Sequence, residues 1–394
     1  MKSKIKVSSI VHNPPYQGGI MQYSVLLQNE MKDMVDFNLV GFKSLYPKII
    51  YKGVQPKKNK HGIQFTVPCP RVLKWYSPAS WKKAYEMLKD GDVIHINWFT
   101  PQMAPLYYTV LKLNAMGAKK PVVMTCHNIE PHETNPLDHL MTVKTFNLVN
   151  HFVVHAKQNK ERLINDYGKS EKNVHVIHHG TFGYFTNWSK ESKKELKKFF
   201  HFKEDDIVLL FFGYIRYYKG LHHLLKALPK IVEENPNVKV LIGGELWLGK
   251  KYIDDIIKSN GMSKHVRVYP RYVQDYDVHK FFDVSDIMVL PYNNSEQTIS
   301  GPLFVGMAFG KPIVVSPVGG VPEFIKNKKN GILTPCGDED SLAKNINMLI
   351  KDKKLQKTIG RNAKKTNDKF LWDKVAKQYF KVYKTAFEDN KNDA

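Results

Sequence analysis

The chain alternates short apolar runs with longer stretches in which apolar residues recur every three or four positions. Runs of the first kind are KIKVSSIV at Lys4 to Val11, about Phe37 to Gly41, Ile63 to Val67, Asp92 to Asn97, Pro121 to Cys126, His151 to Val154, and VHVIH ending at His178. A run of four to eight apolar residues bounded by Gly, Pro or Asn reads as a strand buried on both faces, and helical stretches between such runs imply parallel pairing. The first helix is predicted from about Ile20 to Met31. A second series opens at Asp206 with IVLLFFGYIRYYKG and continues through a helix to about Glu234, VKVLIGG, a helix near Tyr252 to Ser259, and VRVYP. It ends with IMVLP, a small-residue helix, PIVVSP and GILTP. The pattern predicts two α/β domains, each a doubly wound parallel sheet, at 1–185 and 186–371. Thr181 to Ser189, TFGYFTNWS, reads as an irregular linker between them. Beyond Asp338 the chain is helical, and Val375, Ala376, Tyr379, Phe380 and Tyr383 form a stripe on a helix of about 372–390 that is expected to pack back on the first domain.

In doubly wound sheets ligands bind outside the carboxyl ends of the strands, so the loops leaving those ends hold the candidate chemistry. After IVLLFF, Gly213, Arg216, Lys219 and Gly220 lie between a buried strand and a helix. A planar fork and a point charge three residues apart suit phosphate oxygens. After IMVLP, Thr298, Ser300 and Gly301 open the next helix, with Ser300 at the N-cap and Pro302 just inside, an anion-binding arrangement of hydroxyls and free amides. In the first domain, Gly18 and Gly19 allow close backbone approach where a helix begins, and PVVMTC delivers His127 to the sheet edge. Neither loop has the G-x-G-x-x-G spacing, which disfavours a dinucleotide oxidoreductase. His127, His132 and Glu133 lack H-E-x-x-H spacing, and Pro131 and Pro136 oppose a helix that would align them, so no metal site is assigned.

Charge adds one more constraint. The formal net charge is +23, and the first 200 residues carry 29 Lys and Arg against 14 Asp and Glu. Such an excess suits an anionic membrane face, or else reflects solvated lysines such as Lys57, Lys58 and Lys60. Nucleic acid is disfavoured because no zinc spacing, RRM-type string or basic Gly-rich tail occurs. No run reaches the about 18 apolar residues of a membrane span, and Cys69, Cys126 and Cys336 form no C-x-x-C pair or disulfide framework. A cytoplasmic chain, peripheral at most, is therefore expected.

Taken in order, the N-terminal GG, HN after a strand, HHG at the domain junction, FGYIRYYKG and FGKPIVVSPVGGVPEFIKNKKNGILTP closely resemble retaining glycosyltransferases of family 4. The resemblance covers nearly the whole chain and is most specific in its second half. It implies the GT-B fold, two Rossmann-like domains facing across a cleft, and transfer of a hexose from a nucleoside-diphosphate sugar to a lipid-linked or glycan acceptor with no metal or cofactor. The setting it implies is assembly of cell-surface polysaccharide, lipopolysaccharide or glycolipid. Arg216 and Lys219 would hold the diphosphate, Gly18 and Gly19 would approach the donor, and His127 would face the transferred sugar. Arg271, Tyr272 and Val273 would flank the base. The family commonly has two glutamates separated by seven residues, and here Gln297 and Val305 stand in those places. A subset of the family has a similar T-x-S-G form, so the resemblance still implies an enzyme, with Glu296 or Gln297 meeting the donor sugar. Glu323 matches a later family glutamate. Trp75, Tyr76 and Trp98 read either as exposed aromatics suited to a lipid-linked acceptor or as core or acceptor-cleft residues. Two rivals are a nucleotide-sugar 2-epimerase of the same fold and a non-catalytic nucleotide-sugar-binding subunit.

Overall fold

A computed structural model of the protein describes residues 4–45, 62–129, 136–293 and 300–392. It divides into two compact units, Met1–Gly180 with Leu371–Ala394, and Thr181–Phe370. Among the described residues each unit is built on one wholly parallel sheet.

The first sheet has the order β3-β2-β1-β4-β5-β6-β7. Its strands are β1 Lys6–Val11, β2 Asp36–Ser44, β3 Arg71–Lys74, β4 Val93–Trp98, β5 Val122–Cys126, β6 His151–Val154 and β7 Val174–Val176. The strand expected at Ile63 to Val67 is replaced by β3, which pairs Arg71 with Gly41 and Leu73 with Phe42. The reason lies in hydrogen bonding and burial. The Asn29 side chain takes over the backbone of the earlier segment, donating to Gln64 O at 2.8 Å and accepting from Thr66 N at 2.8 Å, so no ladder is needed there. Leu73, by contrast, is fully buried in the core with Phe42, Leu88 and Ile94.

The second face of this sheet is covered by the Gly19–Met31 helix and by the Trp372–Asn392 helix, which returns from the far end of the chain. Val7, Val93, Val123 and Val153, one from each central strand, meet Trp372, Val375, Tyr379 and Tyr383 there. Polar groups join the helix to the sheet as well. The Tyr379 hydroxyl is 2.8 Å from both the Tyr23 hydroxyl and Thr125 Oγ1, and the Tyr383 hydroxyl is 3.0 Å from His95 Nδ1.

The second sheet has the order β10-β9-β8-β11-β12-β13. Its strands are β8 Ile207–Phe212, β9 Val238–Gly243, β10 Val266–Tyr269, β11 Ile287–Leu290, β12 Ile313–Val315 and β13 Ile332–Leu333. Leu221, Leu224, Leu225, Leu228 and Ile231 line one side of the Leu221–Glu234 helix at helical spacing and bury against β8, β9 and β11. The segment read as an irregular linker contains a 3-10 helix, Gly183–Trp188, in the second unit. Phe182 and Phe185 are buried there, so the first unit's main segment ends at Gly180.

Candidate active site

In the second sheet the chain reverses direction of growth between β8 and β11, and it is at such a switch point, in the crevice outside the carboxyl ends of the strands, that doubly wound sheets bind ligands. Glycines let the loops come close. Gly213 has φ 116° and a Cβ there would stand 2.9 Å from Pro302 Cγ; at Gly220, φ 72°, it would stand 1.7 Å from Pro291 O. The turn after β8 is thereby pressed onto the segments on either side of residues 294–299.

Lys219 ends a 3-10 turn, Tyr217–Lys219, and is buried. Its ammonium lies 4.8 Å from the Tyr292 ring centroid and 5.2 Å from that of Tyr218. Burial, and then the neighbouring Arg216 charge, lower its pKa to about 7. The Arg216 guanidinium lies 4.1 Å from the Trp247 ring centroid, and its buried Nε has no hydrogen-bond partner among the described residues. Ser300 occupies the N-cap of the Gly301–Ala308 helix, but its hydroxyl bonds to the Tyr292 hydroxyl instead of capping. The cap fails for lack of a donor: Pro302 has no N–H, and the Leu303 amide already bonds Ser300 O at 3.1 Å. Lys219, Tyr292, Ser300 and Gly301 thus form one cluster at the helix end.

Beyond β10, the half-buried Tyr272 ring lies 6.4 Å from Tyr214, which places the Arg271, Tyr272 and Val273 turn on the β9 and β10 side of Arg216. Glu296, Gln297 and Thr298 lie outside the described residues, as do His132 and Glu133. Val305 is buried on its helix, and Glu323 lies in the first turn of the short Val321–Phe324 helix.

The remaining expected residues belong to the first unit. Gly18, at φ 114°, precedes the Gly19–Met31 helix, and Gly19 is exposed with open space where a Cβ would go. His127 follows β5 at the carboxyl edge, nearly buried. Asn97 Nδ2 donates to Ile10 O, so Asn97 Oδ1 accepts from His127 Nε2 at 3.1 Å. His127 Nδ1 faces His155 Nε2 at 3.3 Å. Burial, reinforced by His155, His179, His12 and His95, holds the His127 pKa well below its ordinary value, so the ring is neutral. Trp98 is not an exposed aromatic: it is fully buried, its Nε1 donates to Ile129 O at 3.1 Å, and its ring packs on Phe146. Tyr76 is exposed and Trp75 half-buried.

Several of these partners escaped sequence reasoning. Tyr292 carried a signal, as the first residue beyond a predicted strand. Trp247 lies in a loop that has no motif. The histidines at 12, 127, 155 and 179 each follow a strand of one parallel sheet, and that shared position was the available clue.

Residues 192–366 match the family described as Glycosyl transferases group 1, and residues 48–181 match Glycosyltransferase Family 4. The chain is 17% identical to Anabaena HepE, solved in complex with UDP, with TM-score 0.75 over 97% of this chain and 100% of that one. The fold is that of the GT-B glycosyltransferases. Curated relatives of this GT-B chain include an uncharacterized glycosyltransferase of Methanocaldococcus jannaschii, 31% identical over 59% of each chain. Another is the N-acetyl-alpha-D-glucosaminyl L-malate synthase of Bacillus anthracis, 25% identical over 76% of each. The match spans less than two thirds of the first relative's length. Among the described residues of the GT-B chain no helix is long and apolar enough to cross a membrane.

Proposed function

We propose that the protein is a retaining glycosyltransferase that moves a hexose from a nucleoside-diphosphate sugar onto an acceptor hydroxyl. The observation that carries this reading is the pair Arg216 and Lys219, two cations at the β8/β11 crevice with no carboxylate partner among the described residues, one of them buried. Burying an unpaired ammonium is costly, and a diphosphate supplies the missing charge. The fork of Arg216 and the point charge of Lys219 would neutralise the diphosphate as it leaves, with the Gly301 amide adding a dipole aimed at the same oxygens. The departing phosphate would accept the acceptor's proton. The charge stabilisation in this scheme comes from these groups, without metal or cofactor. On the acceptor side, the excess of positive charge before residue 200 favours a lipid-linked or glycan acceptor at the cytoplasmic face of an anionic membrane, in polysaccharide, lipopolysaccharide or glycolipid assembly.

The test is a thermal-shift screen of the full chain against UDP, GDP, ADP and their sugars, followed by transfer assays. One base class should raise the melting temperature, and Arg216→Ala or Lys219→Ala should remove that shift and lower transfer about 100-fold or more while the variant stays folded. A folded Lys219→Ala protein with wild-type turnover overturns the reading. Donor interconversion without acceptor would instead establish the epimerase.

A further inference from the structure

Arg216 lies in an aromatic frame. Beyond β9, residues 245–248 run beside the segment that carries Arg216, joined by Ile215 N to Glu245 O at 2.9 Å and by Trp247 N and Leu248 N to Ile215 O at 3.1 Å each. This ladder begins where β8 and β9 end, and two glycines make it possible. At Gly244, φ 144°, a Cβ would stand 1.9 Å from Gly213 O. The backbone therefore fixes Trp247 next to Arg216 independently of any ligand. The guanidinium lies 4.1 Å from the indole centroid and 6.0 Å from that of Tyr214, whose ring meets Trp247 edge-on at 6.0 Å.

We infer that Trp247 is a positioning residue for Arg216, setting the plane of its fork for the diphosphate. This rests on the diphosphate reading of Arg216 given above. An arginine side chain has several rotatable bonds, and a fork that must meet two phosphate oxygens gains from losing that freedom before the donor arrives. A guanidinium stacked flat on an indole face would keep its N–H groups directed past the ring edge, where they remain available to an anion. Arg216 Nε has no other partner among the described residues, so the ring contact is not duplicated by a hydrogen bond from that atom.

The inference is tested by a double-mutant cycle on the full chain, with nucleoside-diphosphate affinity read by calorimetry and transfer by steady-state kinetics. Trp247→Ala should weaken diphosphate binding about 3- to 30-fold, the range of a cation–π contact between exposed and desolvated settings. Trp247→Phe should recover most of that loss and Trp247→Leu should not. In an Arg216→Ala background, Trp247→Ala should have no further effect on affinity. A loss of the same size in both backgrounds, or equal losses for Phe and Leu, would show that Trp247 acts by packing alone and overturn the inference. If Arg216→Ala itself leaves affinity unchanged, the diphosphate reading fails instead, a result the single variant distinguishes. Should Trp247→Ala not fold, the Phe and Leu pair decides the matter.

Discussion

Raising the pH should weaken donor binding through Lys219 alone. Its pKa stands at about 7 in the free protein against an ordinary 10.5, because burial and the Arg216 charge oppose protonation. At about 1.36 kcal/mol per pKa unit, that displacement corresponds to at most about 5 kcal/mol for holding the charge in the empty site. A bound diphosphate reverses the balance and returns the pKa toward 10.5. Affinity should then level off below pH 7 and fall about tenfold per pH unit well above it, roughly 100-fold at pH 9 relative to the low-pH plateau. A nucleoside-diphosphate sugar is the ligand to use, since its diphosphate has no proton to lose in this range. Calorimetry in buffers of differing ionisation enthalpy should show uptake approaching one proton at pH 8 or above. Lys219→Arg, which stays charged, should abolish both the slope and the uptake. The same arithmetic governs stability without ligand. The depressed pKa means that stability is lost as pH falls from 10.5 toward 7, and the penalty is complete below 7. Lys219→Met should therefore melt higher than wild type at pH 6, by less than the upper bound allows, while failing to bind donor. An affinity independent of pH from 6 to 9, or the same slope in Lys219→Arg, would refute the reasoning.

Acid should unfold the first unit ahead of the second. Burial lowers the pKa of His12, His95 and His179 to about 3 and that of His155 to about 4, from 6.5. The unfolded chain therefore binds protons below 6.5 that the fold refuses, and stability present above that pH falls by up to about 1.4 kcal/mol per histidine per pH unit as pH drops toward the folded values. Loss of the environment of the buried Trp98 near pH 5, followed by fluorescence, is the expected observation, and a midpoint unchanged in His95→Gln would count against it. Gly220→Ala, which combines a left-handed backbone with a Cβ against Pro291 O, should destabilise the second unit by about 2 kcal/mol or more in thermal melts. Binding to anionic liposomes should weaken with salt and be negligible on neutral ones; salt-independent binding would leave the lysines as solvated surface charge.

The parallel strands were legible because most are short apolar runs ended by Gly, Pro or Asn, and burial on both faces leaves few other readings. Ile63 to Val67 shows the limit: its alternation suits a strand, yet a single asparagine from another element satisfies its backbone, a contact made only in three dimensions. The cations of the crevice were legible from their place after a strand. The hydroxyl of Ser300 was not, because its partner depends on which way Tyr292 turns beneath Lys219. Of the two readings open for Trp98, the core one holds, for a related reason. VIHINW is apolar or neutral on both faces, the sign of a central strand, and that pattern outweighs the usual affinity of tryptophan for surfaces. The same strand contains His95, so its burial followed from the same pattern.

The Trp372–Asn392 helix completes a unit whose last strand ends at Val176. A ribosome releases Thr181–Phe370 before that helix exists, so the second unit can finish while the first still presents Val7, Val93, Val123 and Val153 to water, and His95 and Thr125 without Tyr383 and Tyr379. The half of the chain made first is the half completed last. Damage near residue 380 should accordingly be felt at β4 and β5, while the second unit, assembled from one uninterrupted stretch, comes off the ribosome ready to fold.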